Sequence, residues 1–330
     1  MLNVAINGLG RIGRATLKIL LDTPDLNLIA VNDLIPADNL AYLLKFDTVY
    51  GRWHRDVRAH ENCLHIDGKD YAVLSERDPA KLPWRQMGVA LIFECTGALR
   101  KRDDLVKHIK AGARFVILSA PARSDDVPTV IHAVNPPPQK PAEIVSCASC
   151  TTNCITPVVE IMGRRIGIRK ATMTTIHGYT SSQAIVDSGK RDFRRGRAAA
   201  ANLVPASTGA AIATTRALPQ FKGKFDGVAV RVPVPVGSLA DIVFVTMRAT
   251  SVEEVNRVFK EEAAGPRYKE VLAVTEEPIV SSDIIQQAYA SIVDLSLTQV
   301  VDQDLVKIMS WYDNEWGYAN QMVREALELS

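Results

Sequence analysis

The chain has 330 residues, of which 47% are hydrophobic and 23% are charged, and its formal net charge is +2. This composition is typical of a globular protein with about two domains, and the near-neutral charge gives no basis for binding nucleic acid or an anionic membrane. Five cysteines, an odd number, argue against a secreted disulfide framework, and no apolar run is long enough to span a bilayer. We therefore expect a cytoplasmic protein with no nucleic-acid or membrane partner. The only tract of low complexity is the short turn from Pro136 to Pro138.

The first predicted element is an apolar strand, Leu2 to Ile6, which leads through a glycine-rich turn into a helix from Ala15 to Leu21. A G-x-G-x-x-G pattern alone is weak evidence, but here a strand precedes it and a helix follows. A second strand, Leu28 to Val31, ends near Asp33, about 20 residues beyond the last glycine, where an acid would bind the adenosine ribose. Asp33 could instead be a helix N-cap or a turn residue. The pattern predicts a dinucleotide site that includes Gly8, Gly10, Gly13 and Asp33.

Strand and helix patterns then alternate through the first half of the chain. Val89 to Glu94 and Phe115 to Leu118 read as strands, and Lys101 to Ala111 reads as an amphipathic helix. This alternation predicts an α/β Rossmann dinucleotide-binding domain. Residues just after the strands would suit a cofactor along the sheet edge, although ordinary turn chemistry explains them equally well. They are Thr96, Gly97 and Ser119.

A stretch with three cysteines, Ser146 to Cys154, follows a short buried strand at Ile144 and Val145. A helix begins near its end, from Cys154 to Glu160. A thiol at a helix N-terminus lies in the positive end of the macrodipole, which lowers its pKa and favours the reactive thiolate. Thr151 and Thr152 would present hydroxyl groups and first-turn amides to a second anion. The stretch predicts a reactive cysteine.

Two other interpretations of the cysteines stay open at this point. The C-x2-C-x3-C spacing could hold part of an iron–sulfur cluster, although Cys63 and Cys95 lack the spacing of a fourth ligand. Alternatively, all three are small buried hydrophobic residues.

The second half is rich in β-branched runs and predicts a largely antiparallel sheet. Its strands are expected at Thr172 to His177, Val228 to Val234, Ile242 to Met247 and Val306 to Met309, before a closing helix from Asn314 to Leu329. His177 ends the first of these strands; such a histidine is usually structural, but a reactive cysteine makes it a candidate base.

Two features of the second half could bind anions. The irregular segment Gly178 to Ala201 contains four arginines, which form either a solvated face or an anion site; they are Arg191, Arg194, Arg195 and Arg197. Thr208 and Gly209 precede a small-residue helix that opens at Ala210, so its first amides could also receive an anion.

Six motifs resemble one family along the whole length of the chain. They are Asn7 to Arg14, Ala148-Ser-Cys-Thr-Thr-Asn-Cys154, Thr174 to His177, Arg197 to Ala200, Ser207 to Ala211 and Trp311 to Tyr318. The family is that of the phosphorylating glyceraldehyde-3-phosphate dehydrogenases.

The resemblance implies that Cys150 attacks the aldehyde to give a thiohemiacetal. His177 would activate the thiol and accept the hydroxyl proton as hydride leaves for the nicotinamide, and inorganic phosphate would then cleave the thioester. Cys154 would be a buried neighbour. Residues implied for the substrate phosphate are Thr180 and Arg231, and those for inorganic phosphate are Ser149, Thr151, Arg195, Thr208 and Gly209.

The resemblance also implies how the cofactor is held, with no metal ligands. The implied cofactor residues are Arg11, Ile12, Asp33, Arg77, Ser119 and Asn314, the last binding the nicotinamide amide. The family is tetrameric, and by analogy Ser188 faces the adenosine ribose of an adjacent subunit.

The chain departs from the family pattern at three places. Many members have Tyr-Thr-x-Asp or Tyr-Thr-Ala-Thr where this chain has Tyr179 to Ser182, and Arg-Val-Pro-Thr-Pro-Asn where it has Arg231 to Val236. These two differences bear on substrate preference. Ser188-Gly189 replaces an apolar residue and a proline and would leave room for a 2′-phosphate. Because the charge of Asp33 would repel that phosphate in either case, we expect NAD to be preferred but NADP still to be accepted.

The expected organisation is a dinucleotide-binding domain over residues 1–149 and an α+β catalytic domain with a mainly antiparallel sheet over residues 150–313. Residues 314–330 would form a helix that returns to the first domain. Two alternatives to glyceraldehyde 3-phosphate oxidation are an erythrose-4-phosphate dehydrogenase, built on the same plan, and a non-enzymatic dinucleotide sensor. Relative rates with the two aldehydes, or the lack of thiol-dependent turnover, would distinguish them.

Overall fold

The computed structural model describes residues 1–135 and 142–329, so the expected turn at Pro136 to Pro138 lies outside the described residues. These residues form two compact units. The first comprises residues 1–130, 142–148 and 319–329, and the second comprises residues 131–135 and 149–318. Within the described part of the chain, each helix is too short or too polar to cross a membrane.

The first unit is built on an eight-stranded sheet in the order β10-β9-β8-β1-β2-β7-β6-β5. The strands of this sheet are β1 (Leu2–Asn7), β2 (Leu26–Asn32), β5 (Val57–His60), β6 (Cys63–Ile66), β7 (Lys69–Leu74), β8 (Leu91–Glu94), β9 (Phe115–Leu118) and β10 (Ile144–Ser146). Two short strands, β3 (Phe46–Asp47) and β4 (Gly51–Arg52), form a separate two-stranded sheet. Its helices are α1 (Arg11–Leu20), α2 (Ala37–Lys45) and α3 (Arg102–Lys110).

The order of the parallel strands is that of a Rossmann fold. Strands β10, β9, β8, β1, β2 and β7 are all parallel, and the chain crosses from one side of β1 to the other between β7 and β8. Such a switch point opens a crevice at the carboxyl ends of the central strands, where dinucleotides bind. The apolar core beneath includes Trp84, Ile92 and Val116, each fully buried. The predicted fold class of this half is confirmed.

Strands β5 and β6 extend this sheet by two antiparallel hairpins that the sequence analysis did not identify. The second hairpin turns at Asp67 and Gly68, both with positive φ, +48° and +84°. Asp-Gly at such a two-residue turn is a strong local signal for a hairpin, because its twist matches that of the strands. The signal was therefore present in the sequence.

The second unit is built on a seven-stranded sheet in the order β12-β13-β11-β14-β17-β16-β15. The strands are β11 (Ile168–Gly178), β12 (Val204–Ser207), β13 (Phe225–Val232), β14 (Ser238–Thr246), β15 (Leu272–Thr275), β16 (Ser291–Val301) and β17 (Leu305–Tyr312). The pairs β11–β13 and β15–β16 are parallel and the other pairs are antiparallel, so the expectation of a mainly antiparallel sheet is confirmed.

Residues 142–329 contain four further α-helices: α4 (Cys150–Arg165), α5 (Ala210–Ala217), α6 (Val252–Ala264) and α7 (Trp316–Glu328). Helix α4 is buried from Thr151 to Met162, which explains why its sequence shows little amphipathic pattern. Helix α6 was missed, although the Ser251 hydroxyl accepts a hydrogen bond from the Glu254 amide at 3.3 Å. Ser-x-x-Glu before an apolar run is a signature of a helix start.

Candidate active site

The glycine-rich turn between β1 and α1 contains glycines of two kinds. A side chain at Gly8, where φ is +95°, would lie 2.7 Å from the Thr96 nitrogen, and one at Gly13 would lie 2.0 Å from the Gly8 carbonyl oxygen. A side chain placed at Gly10 would meet no atom within 4 Å beyond its chain neighbours. Gly8 and Gly13 are therefore required by close packing, whereas Gly10 leaves an open approach to the backbone, as a bound pyrophosphate needs.

Helix α1 begins directly behind this open position. Its N-cap residue is Gly10, which provides no side-chain cap for the first-turn amides. Arg11 and Ile12 are the first two residues of the helix, so their backbone N–H groups point towards the N-terminal end, where an anion is favoured. The Arg11 side chain is directed elsewhere: its guanidinium pairs with the Asp47 carboxylate at 2.5 Å and lies 5.3 Å from the centre of the Tyr50 ring.

Asp33 follows β2 and closes the glycine turn. One carboxylate oxygen accepts the Leu9 amide at 2.6 Å, and the other accepts the Ile35 amide at 3.0 Å. Asp33 is thus a turn residue and not a helix N-cap, since α2 is preceded by Pro36. A carboxylate has further lone pairs, so these bonds leave acceptor capacity for ribose hydroxyls.

The remaining cofactor candidates of the first unit follow its parallel strands. Thr96 and Gly97 are exposed after β8, Ser119 is half-buried after β9, and Arg77 is exposed after β7. The Ser119 amide donates to the Glu94 carbonyl at 3.0 Å. All of them lie at the carboxyl edge of the parallel sheet, as expected from their positions.

A buried polar network beneath this edge escaped the sequence analysis. The fully buried Glu94 carboxylate accepts hydrogen bonds from Asn7 at 2.5 Å and the Thr96 amide at 2.9 Å, and it pairs with His108 at 3.1 Å. Asn7 in turn accepts from Asn32 at 2.7 Å. The network ties together the carboxyl ends of β1, β2 and β8. Polar residues ending three apolar strands were the available signal.

In the second unit, Cys150 is the first residue of α4. The sequence analysis placed the start of this helix near Cys154, which is wrong: Ser149 is the N-cap and its Oγ accepts the Thr152 amide at 3.1 Å. The preceding residue, Ala148, has φ of +54°, a strained conformation for a residue with a side chain. Strain of this kind is found most often at functional sites.

His177 ends β11 with its Nε2 atom 3.4 Å from the Cys150 sulfur. Its other ring nitrogen, Nδ1, donates to the Gly178 carbonyl at 2.7 Å, and the ring is 4% exposed. We assign the proton to Nδ1 on this contact, which leaves a lone pair on Nε2 facing the thiol. The Arg231 guanidinium, which can only donate, lies 2.5 Å from the same ring nitrogen and 2.9 Å from the same carbonyl oxygen, and its positive charge disfavours a second proton on the ring.

The pKa values of Cys150 and His177 favour a neutral thiol beside a neutral imidazole. Burial, followed by the charge of Arg231, lowers the pKa of His177 to about 3. Burial raises the pKa of the Cys150 thiol, although the charge of Arg231 and the Thr151 amide oppose the rise. In the structure, burial raises this pKa above its ordinary value, against the expectation that the helix N-terminus lowers it. The neutral imidazole is free to take the thiol proton as the sulfur reacts.

The other cysteines of the stretch have different surroundings. Cys147 and Cys154 are buried, whereas Cys150 is half-buried. The Cys154 sulfur lies 3.8 Å from the Ser310 carbonyl and 3.9 Å from the Ser291 hydroxyl, and burial raises its pKa to about 12. The small-hydrophobe interpretation thus fits Cys147 and Cys154 but not Cys150. Over residues 1–135 and 142–329, the one group with metal-ligand spacing contains no cysteine.

Hydrogen bonds join two of the anion-site candidates, Arg195 and Thr180, through Ser182 in the second unit. Arg195 donates to the Ser182 hydroxyl at 3.1 Å and the Ser207 carbonyl at 3.3 Å, and Ser182 bonds Thr180 at 2.8 Å. Thr208 accepts the Ala210 amide at 3.2 Å, and nothing lies within 4 Å of a side chain placed at Gly209. Ser182, one of the departures from the family pattern, therefore links residues of the two predicted anion sites.

The hydroxyl of Thr151 is directed elsewhere. Its hydroxyl bonds the Tyr312 hydroxyl at 2.8 Å, which also bonds Thr175 at 2.7 Å, and the side chain of Tyr312 is fully buried. Tyr312 thus holds the first turn of α4 to β11, a role that sequence reasoning missed because the partners are far apart in the chain. Nearby, the Ser238 hydroxyl and the Gly237 amide fix the Asn314 side-chain oxygen at 2.9 and 3.2 Å, so its NH2 group is directed away from them.

The first unit has a dinucleotide-binding fold, and the second unit holds a thiol beside an imidazole. Together these features are typical of a dinucleotide-dependent oxidoreductase with a cysteine nucleophile. Family models match residues 2–102 as the NAD binding domain, and residues 149–314 as the C-terminal domain, of glyceraldehyde 3-phosphate dehydrogenase. The chain is 46% identical to glyceraldehyde-3-phosphate dehydrogenase of Streptomyces coelicolor, and the match covers 98% of this chain and 96% of the relative. It is 44% identical to that of Geobacillus stearothermophilus and 45% identical to glyceraldehyde-3-phosphate dehydrogenase 1 of Bacillus subtilis, each over 97% of this chain and 96% of the relative.

The chain belongs to the glyceraldehyde-3-phosphate dehydrogenase family. It functions as an NAD-dependent oxidoreductase that acts on an aldehyde, and the resemblance noted in its motifs is confirmed.

Proposed function

We propose that this enzyme converts D-glyceraldehyde 3-phosphate, NAD and inorganic phosphate into 1,3-bisphosphoglycerate through a covalent intermediate on Cys150. The observation that carries the proposal is the 3.4 Å approach of the Cys150 sulfur to His177 Nε2, with Nδ1 held by the Gly178 carbonyl. A nucleophile, a base in reach and a group that orients the base are the elements of covalent catalysis. The reaction is a reversible step of glycolysis or gluconeogenesis.

In the first step the Cys150 sulfur bonds to the aldehyde carbon while its proton passes to His177 Nε2. The carbonyl oxygen then takes this proton back from His177 Nε2, which gives a thiohemiacetal and returns the imidazole to its neutral form. His177 next accepts the hydroxyl proton as the thiohemiacetal is oxidised to a thioester. Bound NAD supplies the hydride acceptor for this oxidation. Phosphate then attacks the thioester carbon, releasing the acyl phosphate and the Cys150 thiolate.

The residues that would hold the cofactor and the phosphates follow from their surroundings. The open backbone at Gly10 and the first-turn amides of Arg11 and Ile12 fit a pyrophosphate, and Asp33 retains acceptor capacity for the ribose. The Asn314 NH2 group would donate to the nicotinamide amide. For the anions, Arg231 beside His177 suits the substrate phosphate, and Arg195 with Thr208 and Gly209 suits inorganic phosphate. The Thr151 hydroxyl bonds Tyr312, and the backbone amide of Thr151 would be presented to inorganic phosphate.

We further propose that the enzyme is a cytoplasmic homotetramer. Large apolar side chains are exposed on the second unit, which supports contact with other copies of the chain. They include Ile185 (83% exposed), Val186 (71%), Phe193 (86%) and Leu203 (71%). None of the five cysteines is in a disulfide, and a thiol nucleophile requires a reducing compartment. We also propose a dinucleotide-binding domain over 1–149, a catalytic domain over 150–313 and a C-terminal helix over 314–330 that returns to the first domain. The division into units supports this proposal, since the second unit begins at residue 149 and residues 319–329 belong to the first, although residues 131–135 and 314–318 belong to the second.

Initial rates with glyceraldehyde 3-phosphate and erythrose 4-phosphate, each with and without inorganic phosphate, test the proposal. We expect a phosphate-dependent rate that is higher with glyceraldehyde 3-phosphate. A higher rate with erythrose 4-phosphate would show that this aldehyde is the preferred substrate, and Ser182 and Val234 would then be the residues to examine. Absence of turnover with both aldehydes, with NAD still bound, would favour a dinucleotide sensor.

A further inference from the structure

Three metal-binding side chains converge on the antiparallel extension of the first unit. His60 ends β5, His65 lies in β6, and Asp70 lies in β7. One Asp70 carboxylate oxygen is 3.0 Å from His60 Nε2 and 2.7 Å from His65 Nδ1, and the three ligand atoms all lie within 4.8 Å of one another. Within the described residues, this is the one group of three or more such side chains with metal-ligand spacing.

The strand register fixes this convergence. The Asp67-Gly68 turn closes the β6–β7 hairpin so that His65 lies directly opposite Asp70. In the neighbouring hairpin His60 pairs with Cys63, two residues before His65 on the same face of β6. Because side chains on one face of neighbouring strands lie close together, the three ligands share one solvent-facing patch. His60 and Asp70 are exposed, and His65 is about one-third exposed.

We propose that His60, His65 and Asp70 form a binding site for a divalent transition-metal ion of the zinc type. Zinc is bound by histidine nitrogens at 2.0–2.1 Å and by carboxylate oxygens at 2.0–2.2 Å, so ligand atoms around a tetrahedral ion are about 3.3 Å apart. The Asp70 oxygen lies slightly closer than this to each imidazole nitrogen. These shorter distances are those of hydrogen bonds between the carboxylate and the two imidazoles. Small rotations of the exposed side chains are enough to admit the ion. Water completes the coordination.

The charges around the site are compatible with a cation. Arg58 is directly opposite His65 on β5, but its guanidinium pairs with the Asp56 carboxylate at 2.9 Å. Lys69, next to Asp70, donates to the Asn27 side-chain oxygen at 3.2 Å. Two imidazoles with one carboxylate suit zinc, copper, nickel and cobalt, and they do not suit magnesium or calcium, which prefer oxygen ligands.

Occupation of this site would join three strands that otherwise depend on backbone pairing and a few buried side chains. The ligands come from three different strands, so they converge only in the folded chain. An ion that binds the folded state stabilises it by mass action. The site would thus act as a metal clip on the outer, antiparallel part of the Rossmann sheet. The proposal does not depend on the catalytic roles of Cys150 and His177.

Calorimetric titration of the full-length protein with Zn²⁺ tests the proposal. The Cys150→Ser background is used for every variant, because the Cys150 thiol itself attracts zinc. In that background we expect one site, and we expect His65→Ala or Asp70→Asn to weaken it roughly 10-fold or more, since even changes outside the ligand set cost this much. His54→Ala removes another exposed histidine of the same unit and is the matched control.

Cys63→Ser is a second control, because this thiol lies on the same face of the sheet. Affinity unchanged in His54→Ala and Cys63→Ser but lost in His65→Ala and Asp70→Asn would support the site. Equal zinc affinity in His65→Ala and its parent, or loss of zinc binding in Cys63→Ser alone, would overturn it. Thermal unfolding in EDTA identifies any variant that fails to fold.

Discussion

The cofactor edge of the first unit and the thiol site of the second are built by different parts of the chain. At the cofactor edge the working groups are backbone atoms of residues 7–13, shaped by glycines. At the thiol site they are side chains far apart in sequence: Cys150 and His177 are 27 residues apart, and Thr151 and Tyr312 are 161 apart. A backbone site is specified by local spacing, whereas a side-chain site depends on the register of distant strands.

The largest effect should come from the centre of the side-chain site. Cys150→Ser should lower the steady-state rate by roughly 10³-fold or more, because the nucleophile of a covalent mechanism is lost. Cys154→Ser, one turn further along α4, is the matched control and should retain most of the activity, since that sulfur is buried and lies within hydrogen-bonding distance of Ser291 and Ser310. Comparable losses in both variants would contradict the assignment of Cys150.

The next effect concerns the base. His177→Asn should slow the acylation step by roughly 10²-fold, the usual contribution of a positioned general base. Stopped-flow measurement of the first turnover separates this step from phosphate attack. Because the pKa of His177 is lowered to about 3, the imidazole should remain neutral above about pH 4. Above that pH the wild type should therefore lose no activity through protonation of His177.

The pH dependence of Cys150 alkylation provides an independent test of this pair. The thiolate is the reactive form, and burial raises the thiol pKa, so without a base the alkylation rate rises only at higher pH. We therefore expect the profile of His177→Asn to shift to higher pH and its rate at neutral pH to fall. A profile identical to that of the wild type would show that His177 does not receive the thiol proton.

The difference between the sites also explains what the sequence could predict. A strand, a glycine-rich turn and a helix in that order, with Asp33 about 20 residues beyond the last glycine, were sufficient to predict the Rossmann fold of the first half. The second half was predictable as a mainly antiparallel sheet, but the role of Tyr312 was not, because it depends on β17 and β11 both packing against α4. The start of α4 was misplaced because Cys150, Thr151 and Thr152 are poor helix formers, and the cap provided by Ser149 outweighs them.

The anion candidates test whether the side-chain site has two separate parts. Arg231 contacts His177 and Gly178, whereas Arg195 contacts Ser182, Ser207 and Asp192. A charged hydrogen bond is worth about 1.5–3 kcal/mol, so each loss should raise an apparent KM by roughly 10-fold or more.

Arg231→Leu should mainly raise the KM of the aldehyde, and Arg195→Leu that of inorganic phosphate. Steady-state kinetics with each substrate varied in turn measures both values. The same pattern of KM changes in both variants would indicate one shared anion site, which the link through Ser182 would then explain.

The backbone site makes the opposite kind of prediction, because its glycines differ in what surrounds them. Gly13→Ala places a side chain 2.0 Å from the Gly8 carbonyl and should destabilise folding by about 1–3 kcal/mol, the usual cost of overpacking. Gly10→Ala meets no atom within 4 Å and should fold normally but bind NAD more weakly. Urea unfolding and NAD titration of both variants measure the two effects. Equal stability losses would show that Gly10 is also a packing residue.

The smallest effect concerns cofactor choice. Asp33 holds the glycine turn through the Leu9 and Ile35 amides, and its negative charge opposes a 2′-phosphate, so NAD should be preferred in kcat/KM. Ser188 and Gly189 are exposed, and nothing lies within 4 Å of a side chain placed at Gly189. If this segment faces the ribose of an adjacent subunit, a serine and a glycine leave room there for a phosphate.

Ser188→Leu should therefore reduce kcat/KM for NADP several-fold while leaving that for NAD nearly unchanged, because only the phosphate meets the added side chain. Asp33→Gly should have the opposite effect on NADP, since it removes the opposing charge, which is worth up to a few kcal/mol near a protein surface before screening by salt. The ratio of kcat/KM for the two cofactors in wild type and both variants is the measurement. A wild type that favours NADP would refute the role of Asp33. An unchanged ratio in Ser188→Leu would refute the contribution of the adjacent subunit and leave selectivity to the backbone site alone.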